Sequence, residues 1–176
     1  KRAEPLASFA ALLGAPYPAG ELRYAWKTLL QNHPHDSICG CSIDQVHEEN
    51  MARFARAGQV AGAIAGDAAA AIARAVPAAA DGGLRVVASN TTGHAYSGTI
   101  EASIDLPYES DEPKRRVDPE ALDAPVRFWP VDARITSVTA PGGRAPPFQV
   151  HGEEFVTTFV MSRYETPWAL RARRIR

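Results

Sequence analysis

"QNHPHDSICGCSID", residues 31–44, packs two histidines, two aspartates and two cysteines into one short patch, and its reading decides how the first half of the chain folds. Pro34 disfavours the α region for His33 and lacks a backbone donor, so a helix arriving from upstream must end around Asn32. Ser42 followed by Gln45 has the form of a capping box, with Asp44 in a first turn where the macrodipole favours it, so a second helix is predicted to leave the patch at once. The patch is therefore a junction between two helices.

Upstream, Leu22, Ala25, Trp26, Leu29 and Leu30 recur at spacings of three and four after Pro18-Ala19-Gly20, one face of a helix. Leu6, Phe9, Ala10 and Leu13 predict a shorter helix before it, ended by Gly14 and Pro16. Downstream, Ile43, Val46, Phe54, Ala57, Ala61, Ile64, Ala68 and Ile72 hold one face as far as Pro77. That stripe is rich in alanine, which lets neighbouring helices approach closely. Residues 1–80 are expected to form a three-helix bundle with one long member.

After Asp81-Gly82-Gly83 the sequence turns to Val, Thr, Pro and Gly with a period of two. Ile100, Ala102, Ile104 and Leu106 alternate with Thr99, Glu101, Ser103 and Asp105, as in a half-buried strand. Residues 84–88, 126–129, 135–138 and 155–161 are further strand candidates, and the terminal Arg-Arg-Ile-Arg also lies in an apparent strand. Pro141-Gly142-Gly143 and Pro146-Pro147 punctuate them. The charged stretch 109–123 has no apolar period and reads as a solvated excursion. The expected fold class is α+β: a three-helix bundle followed by part of an antiparallel β-sandwich over 84–176. The missing initial Met and the ending within a strand lead us to expect a portion of a longer chain.

The formal charge of the 176 residues is -1, which gives no general attraction to phosphate, and no apolar run approaches the ~20 residues of a membrane span. Neither nucleic acid nor a membrane is an expected partner. Only Cys39 and Cys41 are present, giving no disulfide framework and favouring a cytoplasmic setting. Bridging them would close a very tight ring, so two small buried thiols are expected. A redox or thiol-zinc role would need a cationic neighbour or more thiolates, and no Lys or Arg lies near in sequence.

Neutral imidazole is the commonest protein ligand for zinc, and a neighbouring carboxylate can bind metal, orient the ring or hold a sugar hydroxyl. By spacing alone His33-Pro34-His35-Asp36 does not enclose an ion. Two further ligands must come from elsewhere, and the other histidines are His47, His94 and His151. The competing reading is a polar loop with Asp36 capping backbone amides. Ile38 as an apolar anchor and Gly40 as a flexible point suggest that the loop is tightly built.

The run Ala25-Trp26-Lys27-Thr28-Leu29-Leu30-Gln31-Asn32-His33-Pro34-His35-Asp36-Ser37-Ile38-Cys39-Gly40-Cys41-Ser42-Ile43-Asp44 resembles the middle-domain signature of glycoside hydrolase family 38 α-mannosidases, the bacterial and cytosolic branch above all. The likeness extends over residues 1–80. Val86-Val87-Ala88-Ser89-Asn90-Thr91-Thr92 more loosely resembles the first strand and Asn-containing turn of the following β domain. The resemblance implies a retaining, exo-acting α-mannosidase with one divalent metal, usually zinc. Most of that site lies in an N-terminal barrel domain of the same parent chain, which supplies the other metal ligands, the nucleophile and the general acid.

Carried over residue by residue, the resemblance implies that His35 is a metal ligand and that Asp36 binds hydroxyls of the terminal mannose. No catalytic residue is expected in this chain, which should be inactive without the barrel. The implied partners are a mannoside substrate and that barrel, and a homo-oligomer stays open. Cys39 and Cys41 fall where the family often has small residues, in keeping with inert thiols. A second reading from a different class is a non-catalytic carbohydrate-binding or assembly module, with Trp129, Trp168 or Tyr164 as stacking surfaces.

Overall fold

Alanine on three faces decides the packing of the helical half. In the computed structural model, which describes residues 1–77, 83–108, 132–160 and 168–176, four helices come first: α1 (Ala3–Leu12), α2 (Ala19–Leu30), α3 (His35–Cys39) and α4 (Asp44–Ala75). Helix α4 has 32 residues and is therefore about 48 Å long, and both α1 and α2 pack along it. Ala3, Leu6, Ala7 and Ala10 of α1 meet Leu22 of α2 and Ile64, Ala65 and Ala68 of α4 in one buried cluster. Small side chains from both partners let the backbones come close, and burial of Leu6 or Ile64 contributes about 1.5–3 kcal/mol each.

The inward faces differ from those expected along each of the three long helices. Phe9 and Leu13 are 59% and 55% exposed, and the buried stripe of α1 runs through Ala3, Leu6, Ala7 and Ala10 instead. Trp26, Leu30, Ile43 and Phe54 likewise stand on exposed positions. Ser42 makes no capping bond: Ile43 is the N-cap of α4 and carries no side-chain acceptor. No capping box forms; the Ile43 carbonyl accepts from the Val46 and His47 N–H groups at 3.0 and 3.2 Å.

The chain divides into two compact units, Lys1–Ser97 and Gly98–Arg176. Residues 84–97 group with the first. They hold no strand, although the sequence pattern predicts one over 84–88; the Asn-containing turn does form. Asn90 Oδ1 accepts from the Thr92 backbone at 3.0 Å and Asn90 Nδ2 donates to the His94 carbonyl at 2.7 Å. His94 and His151 are both exposed.

The second unit contains a three-stranded antiparallel sheet of order β1-β3-β2, where β1 is Ile104–Pro107, β2 is Glu153–Val160 and β3 is Trp168–Ile175. Together with the helices this makes a mixed α+β architecture, as the pattern of the sequence indicates. Register sets Asp105 of β1 and Glu154 of β2 opposite Arg174 of β3. The Arg174 guanidinium donates to both Asp105 oxygens, at 2.7 and 2.9 Å, and this hydrogen bonding, with the charge behind it, raises its pKa above the ordinary value. Leu106, Ala172 and Ile175 are buried.

The alternating stretches 99–103 and 135–138 form no ladder among the described residues, because alternation prepares a backbone for pairing but a strand exists only beside a partner. The candidates over 126–129 and at Met161, the excursion 109–123, and Trp129 and Tyr164 lie outside the described residues. Only the backbone of Trp168 is described.

Candidate functional site

The patch between α2 and α4 is itself a turn of helix. Pro34, with φ -50° and ψ 143°, ends the preceding segment and begins α3, whose five residues carry His35, Asp36 and Cys39. Gly40 stops it in the left-handed region at φ 81°, where a side chain is disfavoured, and the Cys41 N–H donates back to the Asp36 carbonyl at 3.0 Å. A loop in which Asp36 caps amides is therefore not what forms: the backbone carbonyl of Asp36 is used by the turn, and its side chain is left to project.

His35 Nε2 stands 3.5 Å from Asp36 Oδ1, with the two side chains 94% and 67% exposed. An imidazole nitrogen and a carboxylate oxygen held side by side in solvent are donors that a borderline cation such as zinc accepts. By themselves the two side chains cannot enclose an ion. Among the described residues no group of three or more His, Cys, Asp or Glu side chains could hold a metal ion. His33 is also exposed, and His47, half-buried on α4, has its Cε1 3.9 Å from where a Cβ on Gly40 would be. Cys39 and Cys41 are free and exposed, which corrects the expectation of buried thiols: α3 is too short to bury anything, and no residue of it is buried.

What fixes this turn is a residue the sequence reading passed over. Asn32 is fully buried, and its Nδ2 donates to the Asn50 carbonyl of α4 at 3.0 Å, across 18 positions of chain. Asn50 is buried in turn, and its side-chain oxygen accepts from Arg53 at 3.2 Å, while Arg53 also pairs with Glu49. The signal was present in the spacing. Leu22, Ala25, Thr28 and Asn32 continue one inward stripe of α2, and Asn50, Ala57 and Ile64 repeat every seven residues along α4. A polar residue on an apolar stripe calls for a partner, and here each stripe carries one.

Replacing Asn32 by Ala removes the cross-helix bond and the packing of a fully buried side chain. The expected cost is about 1–2 kcal/mol of stability, read as a lowered midpoint in urea with an unchanged slope. An unchanged midpoint would show that the tie contributes nothing.

Residues 1–72 match the family described as "Alpha mannosidase middle domain". An alpha-mannosidase structure from Enterococcus faecalis V583 superposes with a TM-score of 0.71 at 28% identity, covering 98% of this chain and 19% of that one. A second Enterococcus faecalis structure, of a protein in glycosyl hydrolase family 38, gives 0.68 at 28% identity, with 98% and 20% covered. A protein of Halalkalibacterium halodurans, provisionally named a mannosylglycerate hydrolase, is 71% identical over 31 residues, 18% of this chain and 4% of that protein. The chain thus spans about a fifth of the length of the solved structures it matches. Residues 1–72 thus match an alpha mannosidase middle domain, and the chain is similar in fold to the solved glycoside hydrolase family 38 structures.

Proposed function

We propose that the protein is a retaining, metal-dependent α-mannosidase that hydrolyses terminal α-mannosides, and that this chain supplies one metal ligand, His35, and one sugar-binding carboxylate, Asp36. The observation carrying the reading is the pair itself: two adjacent, exposed side chains of complementary chemistry on a turn whose entry is anchored by a buried asparagine. A divalent metal, when bound, supplies Lewis-acid polarisation of neighbouring sugar hydroxyls, which favours an oxocarbenium-like transition state. His35 is the nitrogen donor toward that ion. Asp36 accepts hydrogen bonds from hydroxyls of the terminal mannose and so sets the orientation of the ring.

A retaining glycosidase needs two carboxylates about 5 Å apart, one as nucleophile and one as acid and base. Nothing in the α3 turn provides them, so the chain is inactive without the barrel domain of its parent. Two unbridged cysteines support a cytoplasmic setting as part of the same proposal. No helix among the described residues is long and apolar enough to cross a membrane.

The test uses the full-length protein with an aryl α-mannoside. Hydrolysis should disappear after dialysis against a chelator, return when zinc is added, and proceed with retention at the anomeric carbon. Hydrolysis by residues 1–176 alone, or activity indifferent to a chelator, would overturn the reading.

A further inference from the structure

Cys39 and Cys41 play no part in the proposed chemistry, yet the structure brings them together. Their sulfurs are 3.6 Å apart, both residues are exposed, and Gly40 between them sits at φ 81°. The separation arises from the local fold: α3 ends at Cys39, the left-handed glycine reverses the chain, and the Cys41 N–H returns to the Asp36 carbonyl. Cys39 Sγ lies 3.8 Å from that same carbonyl, so both thiols crowd one side of the turn.

We propose that Cys39 and Cys41 form a reversible dithiol–disulfide site, oxidised by a low-molecular-weight disulfide of the glutathione class. Bond formation requires the sulfurs to close from 3.6 Å to about 2.05 Å, and glycine at position 40 gives the backbone freedom to follow. Open space favours the movement, because the nearest atom to a Cβ built at Gly40 is a side-chain carbon of His47 at 3.9 Å. A metal role for the sulfurs is less well supported, since no third His, Cys, Asp or Glu ligand gathers with them among the described residues.

The exchange balances as two displacements. One cysteine sulfur attacks the disulfide of oxidised glutathione, which forms a mixed disulfide and expels one glutathione thiolate. The second cysteine then attacks the mixed disulfide at its neighbour's sulfur, closing the Cys39–Cys41 bond and expelling the second glutathione. Two electrons pass from the pair to glutathione, and the two cysteine protons end on the two glutathione thiols. Because the ring encloses a single intervening residue it is strained, so the disulfide should be reduced easily and the site should answer to the ratio of oxidised to reduced glutathione.

The experiment incubates the full-length protein with oxidised glutathione, quenches in acid, alkylates, and maps the peptide containing residues 39–41 by mass spectrometry. The peptide is expected to lose two hydrogens, to carry no alkyl group and no glutathione, and to regain both thiols with dithiothreitol. Cys39→Ser and Cys41→Ser should each instead retain one glutathione adduct. A wild-type peptide that stays fully alkylated, or that carries glutathione on either cysteine without closing, would overturn the proposal. The readout is independent of mannosidase activity, so it can fail while the proposed function stands.

Discussion

Replacing His35 by Ala in the full-length protein is expected to release most of the bound metal and to lower turnover of an α-mannoside by roughly a hundredfold or more. The size follows from the chemistry proposed for the ligand: a Lewis acid stabilises the transition state by several kcal/mol, and about 3 kcal/mol corresponds to roughly two decades in rate. The metal-free fold should be unaffected, because the His35 side chain is 94% exposed and takes no part in the bundle core, so melts of the variant and of the metal-stripped parent should coincide. That combination separates a ligand from a scaffold residue. Elemental analysis after gel filtration, with a thermal melt on the same sample, makes the measurement. Unchanged metal content would remove His35 from the shell and with it the central assignment.

Asp36→Asn is expected to act differently. The amide is nearly the same size but loses the charge that strengthens hydrogen bonds from sugar hydroxyls, a difference of about 1.5–3 kcal/mol, or roughly 10- to 150-fold in kcat/KM. Metal content should stay close to that of the unaltered protein. Backbone geometry should also persist, since the turn uses the Asp36 carbonyl and not its carboxylate. Inhibition constants for mannose and bound zinc, measured side by side, decide the matter. Equal loss of both would make Asp36 a metal ligand and not a sugar-binding group.

The helical half could be read from sequence because its signals are local. Pro34 and Gly40 act through their own backbone torsions, and the long periodic run from Asp44 to Ala75 needs no knowledge of its neighbours to be identified as helix. Which face turns inward was less legible. Hydrophobicity ranks Phe9 above Ala7, but Ala7 is the buried one, and the choice of face belongs to the pair of helices.

The same argument explains the β half. Residues 99–103 and 135–138 carry the right alternation, and pairing depends on segments far away in the chain. In the candidate site, His35 and Asp36 are singled out by their likeness to a family signature, and the structure places them side by side on α3. Asn32 stands in the spacing of the inward stripe of α2, but its partner, Asn50, 18 positions on, is identified only by the packing of the two helices. The exposure of the two thiols was equally hidden, since it follows from the shortness of α3.

The tie between Asn32 and Asn50 has a bearing on how this protein tolerates change. It clamps the ends of the segment between them with groups that take no part in chemistry, so a library covering residues 32–50 should split in two when scored by cellular abundance. Exposed positions such as His33, His35, Asp36 and Cys39 should accept almost any residue and leave abundance intact, while the two buried asparagines should accept few. Evolution could then rewrite the tip for a new substrate without renegotiating the scaffold beneath it.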